Sequence, residues 1–203
     1  MNSTLIRLLS ASALVLIPLA AAPSVQQSQE PAPTAPAQQQ SAPAKTAIAA
    51  EFLSPDALID ALYQSVTFGP GEECDFKKME QIFLPGATFI MPPGRGEKRK
   101  IGHLKDFFAD WRRFLDDPQV QEPLKKWGFN ERIVNRRTDQ FGDIAHSYVV
   151  FEVRFDPEQQ NPLGTGVDSI QLIRIDGRWW VSSINTQFVR PNVPLPRRFL
   201  DEK

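Results

Sequence analysis

Two histidines and one cysteine are the scarce reactive side chains of this sequence, and each admits a chemical and a structural role. His146 suits general acid–base work, because an imidazole with an ordinary pKa of about 6.5 exchanges protons near neutrality. Its structural role would be that of a hydrogen-bonded histidine. His146, Tyr148 and Glu152 fall on alternate positions, so on a strand they share a face, and Ser169 and Gln171 do the same further on. Glu152 is a second candidate base. His103 stands where a helix begins, which favours a solvent-facing or helix-terminal role. Cys74 has no evident histidine partner, so a semi-buried structural thiol is expected. Glu131 with Arg132 reads as a rim pair, and Asp168 with Arg174 as cross-strand charge partners.

Other chemistries find no motif. Gly94-Arg95-Gly96 lacks the Gly-Lys-Ser/Thr that a phosphate loop requires, and there is no Gly-x-Ser-x-Gly elbow. Two histidines and one cysteine without ligand spacing argue against a metal site, and no cofactor motif is present. The net charge is −1 and the basic residues are scattered, which argues against nucleic acid or an anionic membrane as partner.

Stepping outward along the chain, Arg7, the apolar run Leu8–Ala20 and the small residues Ala20-Ala21-Ala22 follow the order of a secretory signal, expected to span residues 1–22. The run is short for a membrane span and contains Pro18. After cleavage no membrane association is expected, and the destination is periplasmic or secreted. Residues 23–50 are almost entirely Pro, Ala, Gln, Ser and Thr and read as a disordered linker. A single domain is expected over residues 51–190, followed by an extended tail at 191–203.

Within that domain, helix signals come first. Ser54-Pro55-Asp56 is a capped start, and Leu58, Leu62 and Val66 repeat at helical spacing. Asp75 can cap a second helix that Pro85-Gly86 stops, Ala87–Met91 reads as a short strand, and a third helix runs from near Gly102 through Leu115. After Pro123 the period becomes two, with strands expected at Phe129–Phe141, Ile144–Phe155, Val167–Ile175 and Trp179–Phe188. Helices followed by an antiparallel meander predict an α+β domain.

The words Ala57-Leu58-Ile59-Asp60-Ala61-Leu62-Tyr63, Ile82-Phe83-Leu84-Pro85-Gly86-Ala87-Thr88, Phe141-Gly142-Asp143-Ile144-Ala145-His146 and Ile175-Asp176-Gly177-Arg178-Trp179-Trp180-Val181, in that order, resemble the NTF2-like (SnoaL-like, nuclear transport factor 2) superfamily. The resemblance implies a cone: N-terminal helices on a strongly curved sheet enclosing a pocket, often in a homodimer. It does not imply one function. Ketosteroid isomerases of that superfamily use a helix tyrosine and a strand acid to hold an oxyanion, and an aspartate base. Aligned by the same words, Tyr63 falls on the tyrosine, Gln171 on the strand acid and Met91 on the base. Methionine accepts no proton, so that mechanism is disfavoured.

The alignment also turns His146, Tyr148, Glu152, Ser169 and Gln171 toward the cone, where with Tyr63 they would form the ligand site. Hydrophobicity alone would instead turn Val149, Phe151, Val153 and Phe155 inward. The expectation followed here is that of the alignment. Two functions remain: a binding or interaction module for a small hydrophobic ligand, and a lyase, isomerase or cyclase with His146 or Glu152 as general base. The sheet also carries more large apolar residues than one helical layer covers, which predicts a homodimer through its outer face.

The export expectation has a direct check. Intact-mass measurement on protein from the native host's envelope fraction should place the mature N-terminus between Ala22 and Val25; a chain starting at Met1 in the cytoplasm would contradict it.

Overall fold

A computed structural model describes residues 47–91 and 98–200. The signal, most of the linker, the Pro92-Pro93-Gly94 turn and the last three residues lie outside the described residues. A 3-10 turn at Ala50–Phe52 precedes α1 (Pro55–Val66), α2 (Phe76–Ile82), β1 (Phe83–Met91), β2 (Lys100–His103), α3 (Leu104–Leu115), α4 (Pro118–Trp127), β3 (Asn130–Phe141), β4 (Ile144–Arg154), β5 (Gly164–Ile175) and β6 (Arg178–Phe188). The six strands form one curved, unclosed sheet in the order β2-β1-β6-β5-β4-β3. All neighbours are antiparallel except β1 and β6, which are parallel because α3, α4 and the meander intervene.

The helix starts follow their caps. Ser54 Oγ accepts the Ala57 amide at 3.1 Å with Pro55 at the first helical position, and Asp75 accepts the Lys78 amide at 2.9 Å. His103 ends β2 and opens α3: its amide bonds Asp106 at 2.8 Å and its ring meets the Ala87 carbonyl at 3.1 Å, a helix-terminal role.

Three elements depart from expectation. Strand β1 begins at Phe83, not Ala87, because Pro85-Gly86 is absorbed as a register irregularity between Phe83 and Thr88 and does not end the segment. The short β2 has too little pattern to read. Helix α4, for which no helix was expected, contains Pro123; Asp117 caps it through Gln119 and Pro118 starts it.

Leu58, Ile59, Met79 and Ile82 pack from the helices against Val149, Ile170, Trp179 and Val181 of the sheet, all essentially inaccessible. This defines the inner face. Two glycines shape it. Gly128, with φ 77° and ψ −155°, occupies a region open essentially to glycine alone, and a Cβ there would lie 2.1 Å from the Phe68 carbonyl, across which Phe68 and Phe129 bridge. Gly166 stands opposite Phe151 in register, and a Cβ on it would lie 2.4 Å from the Phe151 ring, so the glycine leaves that ring its space.

The tail, expected to be extended, docks. Arg190 and Val193 pair across a turn, and a 3-10 turn at Arg197–Phe199 brings the Phe199 carbonyl to Asn135 Nδ2 at 2.8 Å and its ring to Tyr148 at 5.3 Å.

Candidate functional site

The inner face lines a cavity of about 750 Å³ that opens to solvent, between α1, α3, α4, β1 and strands β3 to β6. Its walls are aromatic: Phe107, Trp111 and Phe114 from α3, Phe129 before β3, Phe151 and Phe155 of the β4 segment, and Phe188. Trp111 stands edge-on to Phe129 at 5.0 Å, and Phe151 to Phe188 at 5.7 Å, tilted geometries that ring quadrupoles favour.

Into this apolar space project a few polar groups. The Tyr63 hydroxyl donates to Asp168 Oδ2 at 2.8 Å, and Thr186 Oγ1 donates to Asp168 Oδ1 at 2.6 Å. Helix α1 is thereby tied to β5 and β6 through one buried carboxyl. Burial pushes Asp168 up from 3.8 to about 6, against the opposing effect of the two hydroxyls. Burial, then the neighbouring Asp168 charge, holds the Tyr63 phenol well above its usual range. Glu131 is half-buried and lines the cavity, and its carboxyl is raised from 4.5 to about 8, again by burial first and Asp168 second. Tyr63 and Glu131 also border a recess of about 560 Å³ that carries Asp60, Gln64, Thr67 and Arg154, and so form the wall between it and the interior.

Of the residues expected at the site, Tyr63 lines the cavity; His146, Tyr148, Glu152, Ser169 and Gln171 do not. They lie on the outer face, since Phe151 and Asp168 line the cavity and side chains alternate. There His146 Nε2 meets Ser169 Oγ at 2.9 Å and its ring packs edge-on to Tyr148 at 4.4 Å, while Gln171 is exposed. Glu152 accepts from Arg154 at 2.6 Å and Arg132 at 2.8 Å, bonds that lower its pKa. The physical reason is that the apolar alternation Val149, Phe151, Val153, Phe155 outweighs local word similarity, and a one-position offset exchanges the faces. Two further pairings are corrected. Asp168 does not pair with Arg174, which instead bonds Asp143 at 2.7 Å. Glu131 and Arg132 point to opposite faces. Met91, by contrast, does line the cavity.

Cys74 is buried, its thiol donates to the Ser65 carbonyl at 3.3 Å, and burial pushes its pKa up to about 12, which leaves it unreactive. Among the described residues no cluster of three or more His, Cys, Asp or Glu could hold a metal, and no helix is long and apolar enough to cross a membrane.

No protein-family profile and no curated protein matches the sequence. Solved structures do match. An NTF2-like protein of unknown function from Pseudomonas putida KT2440 superposes with a TM-score of 0.50 at 12% identity, covering 70% of this chain and 89% of that one. The fold is NTF2-like. A protein with a cystatin-like fold from Caulobacter vibrioides aligns at 15% identity and a TM-score of 0.48, over 68% of this chain and 88% of that one. The NTF2-like assignment carries the architecture alone, and the chemistry of the cavity has to be argued from its own side chains.

The raised carboxyls make stability pH-dependent. Both folded-state values lie above those of the unfolded chain, so the native state holds more protons and stability falls as pH rises from about 5 through about 8. The depressed Glu152 acts in the opposite sense, but at lower pH, outside this window. Chemical denaturation between pH 5 and 9 should show a decline on the order of 1 kcal/mol per pH unit in the steepest region. Glu131→Gln should flatten it; a flat wild-type profile, or an unchanged one in the variant, would contradict the burial of these groups.

Proposed function

We propose that the protein is an exported small-molecule-binding module whose cone cavity takes a compact, largely apolar molecule bearing one polar group. The observation that carries this reading is the cavity itself: about 750 Å³, walled by aromatic rings, with Tyr63, Asp168, Thr186 and Glu131 gathered in one region. That is the usual constitution of a ligand site, where apolar walls supply affinity and a few fixed polar groups supply orientation. A lyase, isomerase or cyclase using His146 or Glu152 as base is not supported by this geometry, because neither side chain reaches the cavity. Any acid–base step inside the cone would fall to Glu131 and Asp168.

Nile red, a neutral apolar dye, should bind the full chain saturably at one site per chain. Val153→Phe, which places a ring in the cavity from a half-buried position, should weaken binding by about tenfold or more while leaving the fold intact. Absence of saturable binding, or equal binding by the variant, would sink the reading.

A homodimer through the outer sheet face is also proposed. Phe141, Ile144, Ile173 and Trp180 are successive register partners across β3, β4, β5 and β6, a continuous apolar row on that face. Phe141 is 84% and Ile144 58% exposed, so substitution there tests association without disturbing the core. Sedimentation velocity at micromolar concentration should give a dimer for the wild type and a monomer for Phe141→Arg/Ile144→Arg; a wild-type monomer would contradict the proposal.

A further inference from the structure

Several acids on the surface of this molecule have cationic partners. Glu152 is held by Arg132 and Arg154, Asp143 by Arg174, Asp56 and Asp60 by Arg136, and Glu51 by Lys78. Of the three carboxyls that line the cavity, Asp110 pairs with Arg113, while Asp168 and Glu131 have no ion-pair partner among the described residues. Asp168 is bonded by two hydroxyls, Tyr63 and Thr186, both neutral donors. The Glu131 carboxyl accepts a hydrogen bond from no described residue; only its backbone is engaged, by Thr67. Each oxygen of an ionised carboxylate takes about two hydrogen bonds, so Asp168 has capacity left beyond its two donors and Glu131 has all of its own. A desolvated carboxylate without a counter-charge is costly, and a cation brought into the cavity removes that cost.

The walls point the same way. Trp111, Phe129, Phe155, Phe151 and Phe188 line the same cavity as the carboxyls, and Phe129 and Glu131 share a face of one segment, two positions apart. Aromatic faces attract ammonium groups, most strongly where water is excluded. An aromatic enclosure with unneutralised carboxyls at one end is complementary to a molecule with an apolar body and a positive head.

Resting on the binding function proposed above, we infer that the ligand is a lipophilic amine, held as its ammonium ion by Asp168 and Glu131 against the aromatic wall. The other groups that face these carboxyls are few. From α1 comes Tyr63, with Asp60 beyond it in the recess; from α3, Asp110; from β3, Arg136, which acts on Tyr63; from the β4 end, Arg154 in the recess. Arg190 lines the exposed rim and has an interaction of its own. As pH rises from 5 to 9 the two carboxyls ionise, while an alkylamine, with a pKa near the lysine value of about 10.4, stays charged. Amine affinity should therefore increase across that range.

The experiment is calorimetric titration of the full chain with 4-phenylbutylamine and with 4-phenylbutan-1-ol, which shares its apolar body, at pH 5, 7 and 8.5. The amine should bind at least about tenfold tighter than the alcohol at pH 8.5, with a smaller difference at pH 5. Asp168→Asn should bring the amine to the alcohol's affinity, and Glu131→Gln should lower amine affinity severalfold at pH 8.5. Should Asp168→Asn not fold, the wild-type comparison and Glu131→Gln still decide. Alcohol binding equal to or tighter than amine binding at pH 8.5, or amine affinity that is flat or falls with pH, overturns the inference and leaves the binding function standing. Binding of neither compound, together with no uptake of Nile red, removes both.

Discussion

One buried carboxyl organises this domain. Asp168 lies on the inner sheet face and accepts hydrogen bonds from Tyr63 on the first helix and Thr186 on the neighbouring strand, so that the first helix and the last two strands meet at two oxygen atoms. An acid in that position destabilises the fold unless its bonds are made, since leaving a buried partner unsatisfied costs about 1–3 kcal/mol. The hydroxyls meet that requirement only in part, and the pKa of Asp168 remains raised to about 6. Glu131 shifts further, to about 8, by its own burial first and by the Asp168 charge second. Both shifts therefore begin with burial in a cavity whose walls are largely aromatic.

The two faces of the sheet consequently carry different chemistry. Inside, polar groups are few and poorly neutralised; outside, charges are paired, as in the ladder of Arg132, Glu152 and Arg154, and His146 is engaged by Ser169. The C-terminal segment docks on that outer face at Asn135 and Tyr148, while Phe141 and Ile144 are exposed toward the β3–β4 hairpin.

Much of the architecture could be read from the chain itself. Ser54-Pro55 and Asp75 mark two helices through caps that form as expected, and the four-strand meander follows from period-two alternation. Helix α4 escaped because a proline normally disrupts a helix, yet Pro123 is accommodated within a short, surface-lying one whose residues are never fully buried. The site was less legible. Local words align segments but not the faces of strands, and a single-position offset moves every side chain to the other side. The better signal was phase: Asp168 is in step with buried Ile170 and Leu172, and Glu131 with Phe129, so each is an acid placed in an apolar series. Tyr63 lies on the buried side of its helix and lines the cavity.

The central claim is that Asp168 and Glu131 are enclosed in the cavity and desolvated there. It is tested most directly by following the carboxyl carbons of both side chains by NMR as a function of pH, with Asp168→Asn and Glu131→Gln supplying the assignments. The account predicts midpoints of about 6 for Asp168 and about 8 for Glu131, with Glu131 titrating later. Titration of both groups near the ordinary carboxylate value of about 4 would show them solvated, and would contradict it.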